Sequence, residues 1–153
     1  MRKLRVALGS DDGEHLINDH MGQAGTFYIF DLFEDGQWQL VARRANTSPR
    51  EEGDEHGKVT KLKAASQIFR DADVVLARRG SPNFVRMRDT TKFQPVVSRM
   101  DAIDEAMAAL ARSFDAIHVL VMRRRQGERP KEIPVLRAER RNQGQTEEET
   151  VAT

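Results

Sequence analysis

The stretch Phe27-Tyr28-Ile29-Phe30-Asp31-Leu32-Phe33 consists almost entirely of aromatic and aliphatic residues, a composition that favours a β-strand. Glu34-Asp35-Gly36 follows directly, and an Asp-Gly pair is a strong signal for a hairpin turn. Trp38-Gln39-Leu40-Val41-Ala42 then predicts the return strand. A β-hairpin is therefore the starting unit of the predicted sheet.

Apolar patterns on both sides of this hairpin predict further strands and helices. Before it, residues 4–8 predict a strand that ends at the turn-forming cluster of residues 9–13. After a long loop over residues 43–57, the predicted elements are a helix over 58–70, a strand over 73–77, a helix starting at 82, a strand over 93–97, a helix over 101–114 and a strand over 116–122. Three strands followed by β-α-β units indicate a mixed α/β sheet with helices on its faces.

The composition limits the class of protein. The 153 residues include no cysteine, which excludes a disulfide framework and any zinc or iron–sulfur site held by thiolates. The net charge of +1 gives no reason to expect nucleic acid or a membrane as partner. No apolar run approaches the roughly 18 residues that span a bilayer, and the start, MRKLRVALGS, is typical of a strand and not of a signal peptide. We expect a cytoplasmic protein.

The chain divides unevenly between a domain and a tail. Residues 1–122 predict a single α/β domain, and residues 123–153 are rich in arginine and glutamate. After Val135 and Leu136 this second part has no apolar cluster, so burial cannot offset the entropy of ordering it. We therefore expect residues 123–153 to form a charged, mobile tail.

The loop before the hairpin contains the candidate binding residues. Asn18-Asp19-His20-Met21-Gly22-Gln23-Ala24-Gly25-Thr26-Phe27 has one histidine and two glycines between two apolar runs. His20 is either a metal ligand or a loop histidine that caps a turn. Met21 is either a soft ligand or a residue that fills space in the core. Gly22 would allow the backbone to approach a large ligand closely.

The segments VALGSDDG and NDHMGQAGTFYIFDL resemble the dinitrogenase iron–molybdenum cofactor biosynthesis family, which comprises NifX-like and NafY-like carriers and the C-terminal part of NifB. The family pattern is matched by Asn18, His20, Gly22, Ala24 and Phe27, with Asp31 after them. Met21 replaces the usual phenylalanine of that pattern. The resemblance covers roughly residues 4–113. It implies a ribonuclease-H-like fold, and a carrier, not a catalyst, that binds the iron–molybdenum cofactor or a related iron- or molybdenum-containing sulfide cluster.

This resemblance also implies a set of site residues. His20 would be the metal ligand, with Asn18, Met21 and Gly22 beside it. Arg78 and Arg79 stand where the family has a glycine-rich segment, and their guanidinium groups could either clamp an anionic cluster or block the pocket.

His56 lies in the long loop with four acidic neighbours. It is either a second ligand of the cluster or a solvated side chain. Its position in a His-Gly pair is one more point of similarity to the family order.

Other functions remain open on the sequence. No hydrolase, phosphate-binding-loop or metalloprotease motif is present, and the acidic residues do not form a two-metal nuclease pattern, so we do not expect an enzyme. The alternative is a protein-interaction or regulatory module of the same fold that binds no cluster, or a different molybdenum-containing one. The expected partners are nitrogenase or cofactor-assembly proteins, docked through the tail of residues 123–153. The sequence does not determine the oligomeric state.

Overall fold

A computed structural model of the chain describes residues 1–48 and 59–139. Its centre is a six-stranded mixed sheet in the order β3-β2-β1-β4-β5-β6. The strands are β1 (Lys3–Ser10), β2 (Thr26–Phe33), β3 (Trp38–Ala45), β4 (Val74–Ala77), β5 (Gln94–Ser98) and β6 (Val135–Leu136). The helices are α1 (Val59–Ile68), α2 (Pro82–Thr90), α3 (Ile103–Arg112) and α4 (Phe114–Arg125), with a single 3-10 turn at Met21–Gln23.

The predicted hairpin is confirmed. β2 pairs antiparallel with both β1 and β3, and Leu32 lies opposite Trp38 beside the turn. Gly36 has a φ of +91°, a conformation that glycine adopts without strain. The register shifts between Ile29 and Phe30, which makes Val41 a bulged residue on the outer strand.

Helices cover both faces of the sheet, so the mixed α/β architecture is also confirmed. Strands β4 and β5 run parallel to β1 and are buried along their whole length. One core packs α1 and α2 on the sheet through Leu62, Phe69, Phe84 and Met87. The other packs α3 and α4 on the opposite face through Ile103, Met107, Leu110, Phe114 and Ile117.

The strand predicted over residues 116–122 is wrong, because these residues belong to α4. The buried residues of this helix recur at intervals of three and four: Phe114, Ile117, Leu120, Val121 and Arg124. Val119 lies between them and is exposed. The β-branched residues of the run favoured a strand locally, but packing of one helical face against the sheet overrides that preference.

The boundary expected after residue 122 falls inside α4, and Arg124, Pro130 and Leu136 beyond it are buried. β6 adds to the sheet parallel to β5, and Leu136 is buried in the core of the α3 and α4 face. The backbone N–H groups of Val97 and Arg99 donate to the carbonyl oxygens of Pro134 and Leu136, both at 2.9 Å. Residues 140–153 of the expected tail lie outside the described residues.

Arg124, which belonged to the expected tail, is one of the most buried polar residues, at 2% exposure. Its guanidinium donates to Gln94 Oε1 at 2.8 Å and to the carbonyl oxygens of Arg88, Thr91 and Pro130 at 2.9–3.1 Å. Burial lowers the pKa of Arg124 to about 10. This side chain ties α4 to α2, β5 and the segment before β6.

Candidate functional site

The first half of the loop between β1 and β2 is fixed to the segment that precedes α3. Leu16 N donates to the carbonyl of Asp101 at 2.7 Å, and Ile103 N donates to the carbonyl of Glu14 at 2.9 Å. Ser10 Oγ donates to the carbonyl of His15 at 2.6 Å. The loop therefore leaves β1 along the α3 side of the sheet.

An Asp12–His15 pair holds the same part of the loop. His15 Nδ1 lies 2.8 Å from Asp12 Oδ2, and Asp12 Oδ1 accepts from the backbone N–H groups of Glu14 and His15 at 2.8 Å. The hydrogen bond between the two side chains raises the pKa of His15 above its usual 6.5 and holds the pKa of Asp12 below its usual 3.8.

The second half of the loop packs directly on β1. Gln23 N donates to the carbonyl of His20 at 2.9 Å, and Ala24 N donates to that of Met21 at 3.1 Å, which closes the 3-10 turn. A Cβ added to Gly9 would lie 2.7 Å from Ala24 Cβ. The close approach of this turn to the sheet therefore depends on a glycine in β1.

Asn46, which follows β3, fixes the turn from the other side. Its Nδ2 donates to the carbonyl oxygens of Gly22 and Ala24, both at 2.8 Å, and its backbone N–H donates to Gly25 O at 3.0 Å. Gly25 N in turn donates to Asp11 Oδ1 at 2.7 Å. No local sequence signal indicates this role of Asn46, because its partners are brought to it only by the pairing of β2 with β3.

A small pocket of about 40 Å³ lies between this turn, α1 and α2. It is lined by His20, Met21, Gly22, Gln23, Phe27, Leu62, Ala65, Phe69, Ser81, Asn83, Phe84 and Met87. A water molecule needs roughly 10–15 Å³ of such space. The pocket therefore accommodates one small group or one edge of a larger ligand, and not a whole metal cluster.

The pocket combines an apolar lining with a few polar side chains. Three phenylalanines and the thioethers of Met21 and Met87 belong to its lining, and all five side chains are buried. The polar groups come from His20 and Gln23 on the loop and from Ser81 and Asn83 at the start of α2. A mostly apolar surface with a few polar groups is the usual pattern of a ligand-binding site.

The candidate residues separate into two groups. His20, Met21 and Gly22 line the pocket together, whereas Asn18 is exposed and is not part of its lining. Among the residues that the structure describes, no hydrogen bond joins Arg78 or Arg79 to the pocket. His56 lies outside the described residues.

Arg78 and Arg79 follow β4 and differ from each other. Arg79 is exposed. Arg78 is half-buried, and its Nη1 lies 3.9 Å from Asp101 Oδ2, on the side of the sheet where α3 begins. Within the described part of the chain, the buried Nε of Arg78 has no hydrogen-bond partner. Neither guanidinium blocks the pocket beside His20.

The start of α2 contributes pocket residues that the sequence analysis did not select. The helix predicted to start at residue 82 is confirmed: Pro82 is its first residue, and Ser81 caps it, with Ser81 Oγ accepting from Phe84 N at 3.2 Å. The Ser-Pro pair thus located the helix start correctly. The start of α2 faces the loop of His20 because β1 and β4 are neighbours in the sheet. No local sequence signal predicts that these two strands are neighbours.

Over residues 1–48 and 59–139, no group of three or more His, Cys, Asp or Glu side chains is arranged to hold a metal ion. In the same ranges, no helix has the length and apolar character needed to cross a bilayer.

Comparison with known protein families identifies the family of this chain. The sequence model of a family described as dinitrogenase iron-molybdenum cofactor matches residues 2–113, which includes every pocket residue. No curated protein matches the chain.

Proposed function

Because the chain belongs to the dinitrogenase iron-molybdenum cofactor family, we propose that it binds and carries a metal–sulfide cluster, the iron–molybdenum cofactor or its precursor, in nitrogenase cofactor biosynthesis. The observation that supports this most is the place of His20, on a pocket lined by thioethers and aromatic rings. His20 is the proposed metal ligand, and Met21 and Gly22 are the proposed contacts beside it.

The family membership favours a preassembled cluster as the cargo. A metal–sulfide cluster brings its own sulfides, so a single imidazole can complete the coordination of one of its metals. The absence of cysteine from the chain suits a carrier, because thiolates would hold the cargo too tightly for release.

The size of the pocket suggests how such a cargo would bind. With about 40 Å³ of space, the pocket can accept one edge of the cluster while the rest stays at its mouth. Apolar side chains around that edge would exclude water from the metal–imidazole bond. Arg78 and Arg79 lie outside the lining, so we assign them at most a general attraction for an anionic cargo.

The same family membership supports two further parts of the proposal. We propose a ribonuclease-H-like topology, supported by three antiparallel strands β3-β2-β1 followed by the parallel strands β4 and β5. We also propose that the protein is a carrier without catalytic activity and that its partners are nitrogenase or cofactor-assembly proteins, which would deliver and accept the cluster.

An anaerobic titration with isolated iron–molybdenum cofactor tests the carrier function. The protein is desalted after incubation, and retained molybdenum and iron are measured for the wild type, His20→Ala and His118→Ala. His118 stacks on Phe114 in α4, on the other face of the sheet, and serves as a matched histidine control. Trp38 is unsuitable as a reporter, because it lies at the hairpin end of β3, away from the pocket.

We expect saturable retention by the wild type and His118→Ala, and loss of at least tenfold in affinity for His20→Ala. Equal retention by all three proteins would contradict the assignment of His20 as the metal ligand, but it would not contradict the carrier function. No retention by the wild type would contradict the carrier function and favour a protein-interaction or regulatory module of the same fold.

A further inference from the structure

The orientation of the Asn83 side-chain amide is fixed by Arg86. Asn83 lies in the first turn of α2, and Arg86 Nη1 donates to its Oδ1 at 2.8 Å. A guanidinium has no acceptor, so only the oxygen of the amide can face Arg86. The NH₂ group of Asn83 therefore points away from Arg86, and none of the described residues accepts a hydrogen bond from it.

Hydrogen-bond donors are scarce in the pocket that Asn83 lines. Most of its lining is apolar, and its polar side chains are those of His20, Gln23, Ser81 and Asn83. An anion that enters an apolar pocket loses water and needs donors in return. Asn83 lines the same pocket as His20, and its amide has two N–H groups that can serve as such donors.

We propose that Asn83 is a second anchoring residue of the site: its Nδ2 donates hydrogen bonds to a sulfide or oxo atom of an anionic molybdenum-containing ligand, and Arg86 is the positioning residue that keeps the amide in this orientation. The inference rests on the proposed function, because it concerns the same pocket. It adds a protein group from α2 to the imidazole from the loop, so the ligand is held by two separate elements of the fold.

Asparagine in the first turn of a helix can also be purely structural, and Asn83→Asp separates the two roles. The aspartate keeps the size of the side chain and an oxygen for Arg86, but it presents a second oxygen in place of the NH₂ donors. A carboxylate in the first turn of a helix is favourable for stability. A structural role therefore predicts unchanged or higher thermal stability and unchanged ligand affinity, whereas an anchoring role predicts that affinity falls.

The probe is tetrathiomolybdate, a compact molybdenum–sulfide dianion, used with the full chain in anaerobic equilibrium dialysis with molybdenum analysis. Asn83→Asp is compared with the wild type and with Gln37→Glu, which adds the same charge at an exposed position of the hairpin. We expect at least a tenfold weaker affinity for Asn83→Asp and no change for Gln37→Glu. Asn83→Ala, which removes the donors without adding charge, replaces Asn83→Asp if that variant does not fold.

A second comparison tests the role of Arg86. If Arg86 acts through Asn83, Arg86→Met combined with Asn83→Ala weakens binding no more than Asn83→Ala alone. Additive losses would instead assign Arg86 a direct electrostatic contact and overturn its positioning role.

The failure of this inference is distinct from failure of the carrier function. Equal affinity of the wild type and Asn83→Asp for tetrathiomolybdate, or no affinity of the wild type for it, overturns the anchoring role of Asn83. The carrier function is judged separately, on retention of the isolated cofactor by the wild type.

Discussion

Gly9 and Ala24 are packed so tightly that a Cβ on Gly9 would lie 2.7 Å from the Cβ of Ala24. Real Cβ atoms do not approach each other this closely, so any larger residue at position 9 must displace the turn that contains His20 or shift β1. The position of the candidate ligand is thereby coupled to the strand at the centre of the sheet.

Gly9→Ala is expected to destabilise the protein by about 1–3 kcal/mol, the usual cost of overpacking. Equilibrium urea unfolding measures this loss. Gly80→Ala is the matched control, because no atom of the described residues lies within 4 Å of a Cβ at Gly80. An equal effect of both substitutions would show that space at position 9 is not the cause.

Asn46→Ala is expected to loosen the turn, because the carbonyl oxygens of Gly22 and Ala24 lose their shared donor. The expected cost is about 1–3 kcal/mol of unfolding free energy, with faster hydrogen exchange in residues 20–25. Thr47→Ala, at the exposed neighbouring position, should change neither quantity. Unchanged exchange in Asn46→Ala would rule out the anchoring role of this amide.

The Asp12–His15 pair predicts a stability window in pH. Because the pKa of His15 is raised above 6.5, its contribution is complete below pH 6.5 and disappears as the pH rises through the raised value. Because the pKa of Asp12 is lowered from 3.8, its contribution is complete above pH 3.8 and disappears on acidification.

The difference in melting temperature between the wild type and His15→Gln should therefore be greatest between pH 3.8 and pH 6.5. Thermal melts across pH 3–9 measure it, and Asp12→Asn should remove the same window. A difference that grows above pH 7 would contradict the assignment of the pair.

Arg124→Met is expected to cost about 3 kcal/mol or more, because it leaves the buried Gln94 Oε1 and the carbonyl oxygens of Arg88, Thr91 and Pro130 without this donor. Arg123→Met, one residue earlier, breaks only an exposed ion pair with Glu128 and should cost less than about 1 kcal/mol. Chemical denaturation compares the two. Similar costs would mean that the network around Arg124 is not important for stability.

A chain that ends at residue 113 should not fold, because it lacks the buried side chains of Phe114, Ile117, Val121 and Leu136. A chain that ends at residue 139 retains all of them and should keep its cooperative thermal transition. Circular dichroism during heating distinguishes the two. A stable, cooperative fold of the shorter chain would show that α4 and β6 are dispensable.

The sequence predicted the elements whose signals are local. The hairpin follows from FYIFDLF and its Asp-Gly turn, and Ser81-Pro82 marked the start of α2. α4 was predicted as a strand because its β-branched residues favour that state, and only the sheet beneath it explains the helical spacing. β6 has two residues, too few for any periodicity.

For the candidate site, too, the sequence predicted only what a local motif contains. His20, Met21 and Gly22 form a local motif, so the sequence located them in one loop, and the structure brings them to one pocket. Asn46 reaches the turn beside this pocket, and Asn83 the pocket itself, from elements distant in sequence, and single asparagines have no local signature of such a role. Arg124 was hidden in a run of three arginines that is typical of a solvated surface.

The two edges of the sheet differ in their capacity for intermolecular pairing. On the side of β5 that faces β6, the N–H groups of Val97 and Arg99 donate to carbonyl oxygens of Pro134 and Leu136. Pro95 has no N–H group. The opposite edge, β3, carries the bulge at Val41, which interrupts the regular ladder that a strand from another molecule would need. Although β6 has only two residues, it thus protects one edge of the sheet from edge-to-edge aggregation. At the other edge, the irregular strand β3 hinders such aggregation.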